Sequence, residues 1–152
     1  MNIPPTMRQI AVREPGGADM LSVVDAPLPT LKAGEVLVEV AWAGVNRPDI
    51  SQRAGSYPPP ADASPVLGLE VSGTVAAKAA DVTQWNVGDK LCTLVAGGGY
   101  AQYCTAPAAW CMAIPPRLAL KEAAGLPENY FPVWNNLFDR AQLRAGESVL
   151  IH

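Results

Sequence analysis

The sequence predicts a mainly β chain, a barrel or sandwich of short strands, followed by the opening of an α/β unit. Two observations carry this. Up to about residue 115, short alternating runs are separated by Gly- and Pro-rich turns, with space for only one small helix. Beyond residue 120 the apolar spacing becomes helical and then gives way to Ser148–Ile151, which reads as a strand.

The elements follow in order. Gln9–Arg13 and Met20–Val24 read as strands joined by Glu14-Pro-Gly-Gly-Ala-Asp19, where Gly16 and Gly17 can supply positive φ. Lys32-Ala-Gly34 is a turn. Glu35–Ala43 is the longest clear strand of the first third, with Val36, Val38 and Val40 on one face and Leu37 on the other. Asn46–Ala54 has the marks of a short helix: Asn46 at the N-cap, Pro48 in the first turn, Asp49 against the positive end and Gly55 at the exit. The proline run from Tyr57 to Pro65 is a loop. Leu69–Ala77 is a strand, with Gly68 and Gly73 marking bulges or close backbone approach. Val87–Val95 is turn and strand, Gly97–Gly99 a loop, and Tyr100–Thr105 and Trp110–Ile114 short strands. Leu120–Arg140 is helical in two pieces, because Pro127 and Pro132 interrupt it.

Bulk properties exclude several function classes. The chain has 152 residues, 49% hydrophobic and 16% charged, as in ordinary globular proteins. A net charge of -3 without a basic block argues against nucleic acid and against an anionic membrane surface. No apolar run approaches the roughly 20 residues of a spanning helix. The first residues lack the basic region and apolar core of a signal peptide, so a cytoplasmic location is expected. Cys92, Cys104 and Cys111 fit no zinc spacing, and the lone histidine is the last residue; the cysteines read as apolar filler.

The residues able to do chemistry concentrate between Trp42 and Gly73. Asn46, Asp49, Tyr57 and Glu70 lie on or beside loops that a β scaffold would hold. Asn46 can cap the helix, or donate through its amide to a developing oxyanion. The Tyr57 phenol can donate a hydrogen bond or proton at neutral pH, or pack as a loop aromatic on proline. Glu70 reads as a site carboxylate or as a salt-bridged or edge charge. Gly97–Gly99 looks like a phosphate cradle, but strand-like sequence follows it rather than a helix. A tight turn or a cleft rim at Gly98 is the better reading.

A series of short motifs then points to a family. They are Glu14-Pro-Gly-Gly, Gly34-Glu-Val-Leu-Val, Gly44-Val-Asn-Arg-Pro-Asp, Gly55-Ser-Tyr-Pro, Leu67-Gly-Leu-Glu-Val-Ser-Gly, Val87-Gly-Asp-Lys, Gly97-Gly-Gly-Tyr-Ala-Gln-Tyr, Ala124-Gly-Leu-Pro-Glu and Arg144-Ala-Gly-Glu-Ser-Val-Leu-Ile-His. Each is weak alone. Together, in this order and across nearly the whole chain, they resemble the medium-chain dehydrogenase/reductase superfamily, and within it the zinc-free quinone oxidoreductases of the zeta-crystallin type.

The resemblance implies a GroES-like catalytic domain over residues 1–120, and over 121–152 the first helix and strand of a truncated Rossmann dinucleotide-binding domain. It implies an NADPH-dependent enzyme passing hydride to a quinone or conjugated carbonyl acceptor, with this chain alone inactive. The alternatives are an enoyl thioester reductase, in which Tyr57 protonates the α-carbon, and a non-catalytic GroES-like interaction module. Zinc-dependent relatives place cysteine at Asn46 and histidine at Leu69, so no metal is expected. Tyr57 and Asn46 become the catalytic candidates. Asn46 and Tyr130 become the cofactor contacts, and Tyr57, Glu70 and Gly98 the substrate pocket. Related proteins usually carry threonine where this chain has Pro132. The expected partners are a small quinone or enone and further copies of the chain in a homo-oligomer, with no nucleic acid and no membrane.

Overall fold

The computed structural model describes residues 3–152, so the first two residues of the expected 1–120 domain lie outside the described residues. It contains seven strands in two antiparallel sheets. β1 (Thr6–Val12) and β2 (Leu21–Pro27) form a hairpin. β3 (Glu35–Ala43), β4 (Glu70–Lys78), β5 (Lys90–Leu94), β6 (Tyr103–Pro107) and β7 (Cys111–Ala113) form the larger sheet, in the order β6-β3-β4-β5-β7. A bridge between Gln9 and Ala101 joins the hairpin to the loop before β6.

The alternation expected in β3 holds. Val36 and Val38 are buried against Val71, Val75, Leu91, Val95 and Cys104, and Val40 packs at the margin of this core. Leu37 is buried as well, so both faces of β3 are covered there. Trp85 closes one end, its indole N–H donating to the Ala108 carbonyl at 3.1 Å. Gly73 behaves as its position suggested. A Cβ there would strike the Glu39 backbone, and the β3–β4 register shifts beside it.

Several boundaries differ from expectation. The first hairpin closes through a 3-10 turn at Ala18–Met20, and neither Gly16 nor Gly17 has positive φ. Their missing side chains matter for space instead: a Cβ on Gly16 would lie 2.9 Å from Met20 Cγ. Near residue 100 the continuous strand starts only at Tyr103; before it, Ala101 makes an isolated bridge to Gln9 and the Tyr100 carbonyl accepts from the Ile10 N–H at 2.8 Å.

α1 (Arg47–Arg53) forms where expected, with Asn46 at its N-cap and Gly55 at positive φ just beyond it. The helical stretch after 120 falls into three pieces rather than two: α2 (Leu120–Ala123), α3 (Pro127–Trp134) and a π-helical segment, Asn135–Arg140. Pro127 starts α3, where a missing N–H costs nothing. Pro132 sits inside the helix, and the chain widens into the π turn three residues later. α2 is pinned to the barrel by Ser72, whose hydroxyl donates to the Leu120 carbonyl at 2.5 Å. Ser148–Ile151 forms no strand. A strand needs a neighbour for its backbone groups, and among the described residues none pairs with it; Leu150 and Ile151 are exposed.

Candidate functional site

The site is built where β3 ends, α1 begins and β4 starts. Glu70 is the first residue of β4, the central strand, and is 1% exposed. The reading of Glu70 as an edge charge is therefore corrected: it is a buried carboxylate held by neutral donors. Its Oε1 accepts from Asn46 Nδ2 at 2.9 Å, and its Oε2 accepts from the Glu128 backbone N–H, in the first turn of α3, at 2.9 Å. A carboxylate there also meets the positive end of that helix. Gly44 makes the room. A Cβ at position 44 would fall inside the Glu70 carboxylate, 2.6 Å from its Cδ.

Asn46 sits at the N-cap of α1 with its side-chain NH2 turned to Glu70, and the Asp49 carboxylate reaches back to the same residue. Asp49 Oδ2 accepts from the Asn46 N–H at 2.9 Å, the backbone half of a capping box. Asp49 is buried too; its Oδ1 accepts from the Gly68 N–H at 3.0 Å. The Tyr100 hydroxyl lies 2.9 Å from Asp49 Oδ2 and 3.2 Å from the Gly44 carbonyl. Its single proton goes to the charged acceptor. Asp49 thus ties the helix start, the approach to β4 and the loop before β6 to one carboxylate.

The Gly97–Gly99 loop delivers that tyrosine. Gly98 N–H donates to Val66 O at 2.7 Å, Gly99 N–H to Gly68 O at 3.1 Å and Tyr100 N–H to Leu67 O at 2.9 Å. These N–H groups are spent inside the fold, which supports the tight turn over the phosphate cradle. Gly68, at φ +101, is required by the same packing: a Cβ there would lie 2.7 Å from Gly99 Cα.

Two neighbouring carboxylates give the site a negative field, which appears in the groups around it. Burial raises the Tyr100 phenol well above its ordinary value, and the hydrogen bond to Asp49 and the charges of Asp49 and Glu70 add to this. Burial, then the charges of Glu70 and Asp49, raise the Glu128 carboxyl.

The structure joins Asn46 to Glu70 and places the other candidates elsewhere. Tyr57 is half exposed on the proline loop. Gly98, at positive φ, lines a cavity of about 50 Å³ with Met7, Ser64, Val66 and Cys104. Tyr130 is 63% exposed and lines an apolar groove of about 570 Å³ with Met112, Leu126, Phe131 and Trp134. Sequence reasoning missed Tyr100 and underrated Asp49. The available signal was a helix-cap Asn with an acid three residues on, and a tyrosine directly after three glycines. Cys92 and Cys104 are buried, as filler should be.

Among the described residues no three His, Cys, Asp or Glu side chains gather as a metal site, and no helix is long and apolar enough to cross a membrane.

Comparison with known proteins agrees with this architecture. Residues 32–116 match the alcohol dehydrogenase GroES-like domain. A synaptic vesicle membrane protein VAT-1 homolog of Danio rerio is 34% identical over 97% of this chain and 31% of its own length. The quinone oxidoreductase of Lama guanicoe is 33% identical over 96% of this chain and 45% of its own. Among solved structures, a mycobacterial protein complexed with NADPH is 34% identical with a TM-score of 0.79, covering 93% of this chain and 44% of that one. The CurK enoyl reductase is 27% identical with a TM-score of 0.82, covering 95% and 46%. The chain spans less than half the length of each. With its barrel, its Gly44–Asn46 turn and its buried Glu70, the chain belongs to the alcohol dehydrogenase GroES-like domain family, among the medium-chain dehydrogenase/reductase proteins that include the quinone oxidoreductases and VAT-1 homologues.

Proposed function

We propose that the chain is the N-terminal portion of a zinc-independent, NADPH-dependent reductase of quinones or other conjugated carbonyl compounds. The observation that carries this reading is the Asn46–Glu70 pair. Where a zinc-dependent relative would present sulfur and imidazole, this chain has an amide hydrogen-bonded to a buried carboxylate, and Leu69 beside it. Leucine ligates nothing, and one carboxylate does not hold zinc.

NADPH, when bound, supplies the hydride; the protein supplies orientation and electrostatics. The residues fit one edge of such a cofactor. The Asn46 amide is only partly buried, and its carbonyl oxygen lies on the side not engaged by Glu70. The negative field of Asp49 and Glu70 suits a ring that gains positive charge as hydride leaves. Tyr57, half exposed at its phenol, would donate a hydrogen bond or proton to the acceptor.

In this reading residues 1–120 are the catalytic domain, and 121–152 begin the cofactor domain. The 152-residue chain alone has, in this reading, no reductase activity; the N–H groups of Gly98, Gly99 and Tyr100 are paired inside the fold and offer no phosphate cradle. Exposed Tyr130, Val133, Trp134 and Phe138 support burial against further polypeptide, from a homo-oligomer or the remainder of a cytoplasmic enzyme.

An enoyl thioester reductase is the second reading, favoured by the likeness to CurK. Steady-state assays of a reductase extending beyond His152 separate the two: NADPH oxidation with a benzoquinone supports the first, and with crotonyl thioester only, the second. Absence of NADPH binding to that longer protein would leave a non-catalytic module.

A further inference from the structure

We propose that Glu70 is a positioning residue that sets the polarity of the Asn46 amide and couples it to helix α3. This deepens the reductase reading and rests on it for the role of Asn46.

An ionised carboxylate only accepts hydrogen bonds, whereas a primary amide presents an accepting oxygen on one branch and a donating NH2 on the other. Facing Glu70 with Oδ1 would set two acceptors against each other in a buried place. Nδ2 must therefore face Glu70, as the 2.9 Å contact has it. The branch left for a ligand is then Oδ1, with the second Nδ2 hydrogen beside it. Asn46 so held presents an acceptor first. It suits a hydroxyl or carboxamide donor of the cofactor better than a developing oxyanion.

The second oxygen extends the constraint. Glu70 Oε2 takes the N–H of Glu128 in the first turn of α3, the helix that carries Tyr130. One carboxylate on the central strand thus fixes an amide on α1 and the start of α3 together. Gly44 makes the room for that carboxylate, which fills the space a Cβ would take. A shift of α3 must be felt at Asn46, and a ligand pulling on Asn46 must be felt at α3.

Glu70→Gln separates the two bonds without changing shape. The new amide offers one accepting oxygen for two donors, so either Asn46 Nδ2 or the Glu128 N–H loses its partner. In the 152-residue chain we expect Glu128 amide exchange to accelerate about tenfold or more, or the Asn46 side-chain NH2 resonances to shift, with the other backbone resonances in place. A folded Glu70→Gln chain with both unchanged overturns the proposal. Should that variant not fold, the unsubstituted chain gives the answer. Scalar couplings across the hydrogen bonds from Asn46 Nδ2 and Glu128 N to the Glu70 carboxyl carbon are expected, and their absence overturns it. In the longer reductase, Asn46→Ala is expected to weaken NADPH binding. Unchanged NADPH affinity with the couplings present would leave the positioning intact and remove the reductase role.

Discussion

Replacing Gly44 with alanine should damage the site through contact alone. Gly44 has no positive φ, so the backbone itself accepts alanine, and lower entropy of the unfolded chain would even favour it by about 0.4–1 kcal/mol. The new Cβ, however, occupies the Glu70 carboxylate position. Glu70 must move, and its bonds to Asn46 Nδ2 and Glu128 N–H go with it. Hydrogen bonds to charged groups are worth about 1.5–3 kcal/mol each, so the pair amounts to about 3–6 kcal/mol and the net loss to about 2–5 kcal/mol. Urea denaturation of the 152-residue chain reads this directly. With a slope of about 2 kcal/mol per molar urea, the midpoint should fall by about 1–2.5 M. Gly34→Ala is the control: φ there is +75 and nothing lies within 4 Å, so it should lose only the about 1–2 kcal/mol of left-handed strain. In a Glu70→Ala background Gly44→Ala should cost almost nothing. A loss below about 1 kcal/mol in the native background, or the same loss with and without Glu70, would refute the steric argument.

Tyr100→Phe should destabilise the chain by about 1.5–3 kcal/mol in the same assay, because Asp49 then loses a buried donor. Alkaline pH should destabilise it as well. Burial pushes the Cys92 thiol from 9.0 up to about 11 and Cys104 up to about 12. Folded values above unfolded ones mean full stability below about pH 9 and progressive loss as pH rises through 11. The midpoint of thermal unfolding measured from pH 8 to 11 should fall, and Cys92→Ala should flatten part of that slope. In the proposed reductase extending beyond His152, Tyr57→Phe should lower turnover about a hundredfold with an unchanged unfolding midpoint, since the phenol is half exposed. Equal turnover would return Tyr57 to a packing role.

The barrel was legible because its signals are local. Period-two alternation in β3, the Asn46–Pro48–Asp49 helix start and the glycine-punctuated turns each act within a few residues. The close backbone approach at Gly73 and the tight turn at Gly97–Gly99 also followed from the sequence. The site was half legible. Asn46, Asp49 and Glu70 stood out as polar residues between apolar strands, but which atom meets which depends on contacts across long separations. Asn46 and Glu70 are 24 residues apart, Asp49 and Tyr100 are 51 apart, and Glu70 and Glu128 are 58 apart. No local pattern encodes these. The helix beyond residue 120 broke differently because Pro132 widened it instead of ending it. Ser148–Ile151 has the composition of a strand but lacks a neighbour to pair with among the described residues.

The central claim is that the Asn46–Glu70 pair stands where a zinc centre would otherwise do the work. The most direct test is NADPH-dependent quinone reduction by the longer reductase after exhaustive treatment with a metal chelator, with zinc content measured on the same sample. The account predicts undiminished turnover at less than about 0.1 zinc per chain, the level expected without a ligand set. It also predicts a fall of about tenfold or more in kcat/KM for Asn46→Ala, the loss of about one good hydrogen bond in the transition state. Turnover abolished by the chelator and restored by zinc would contradict it.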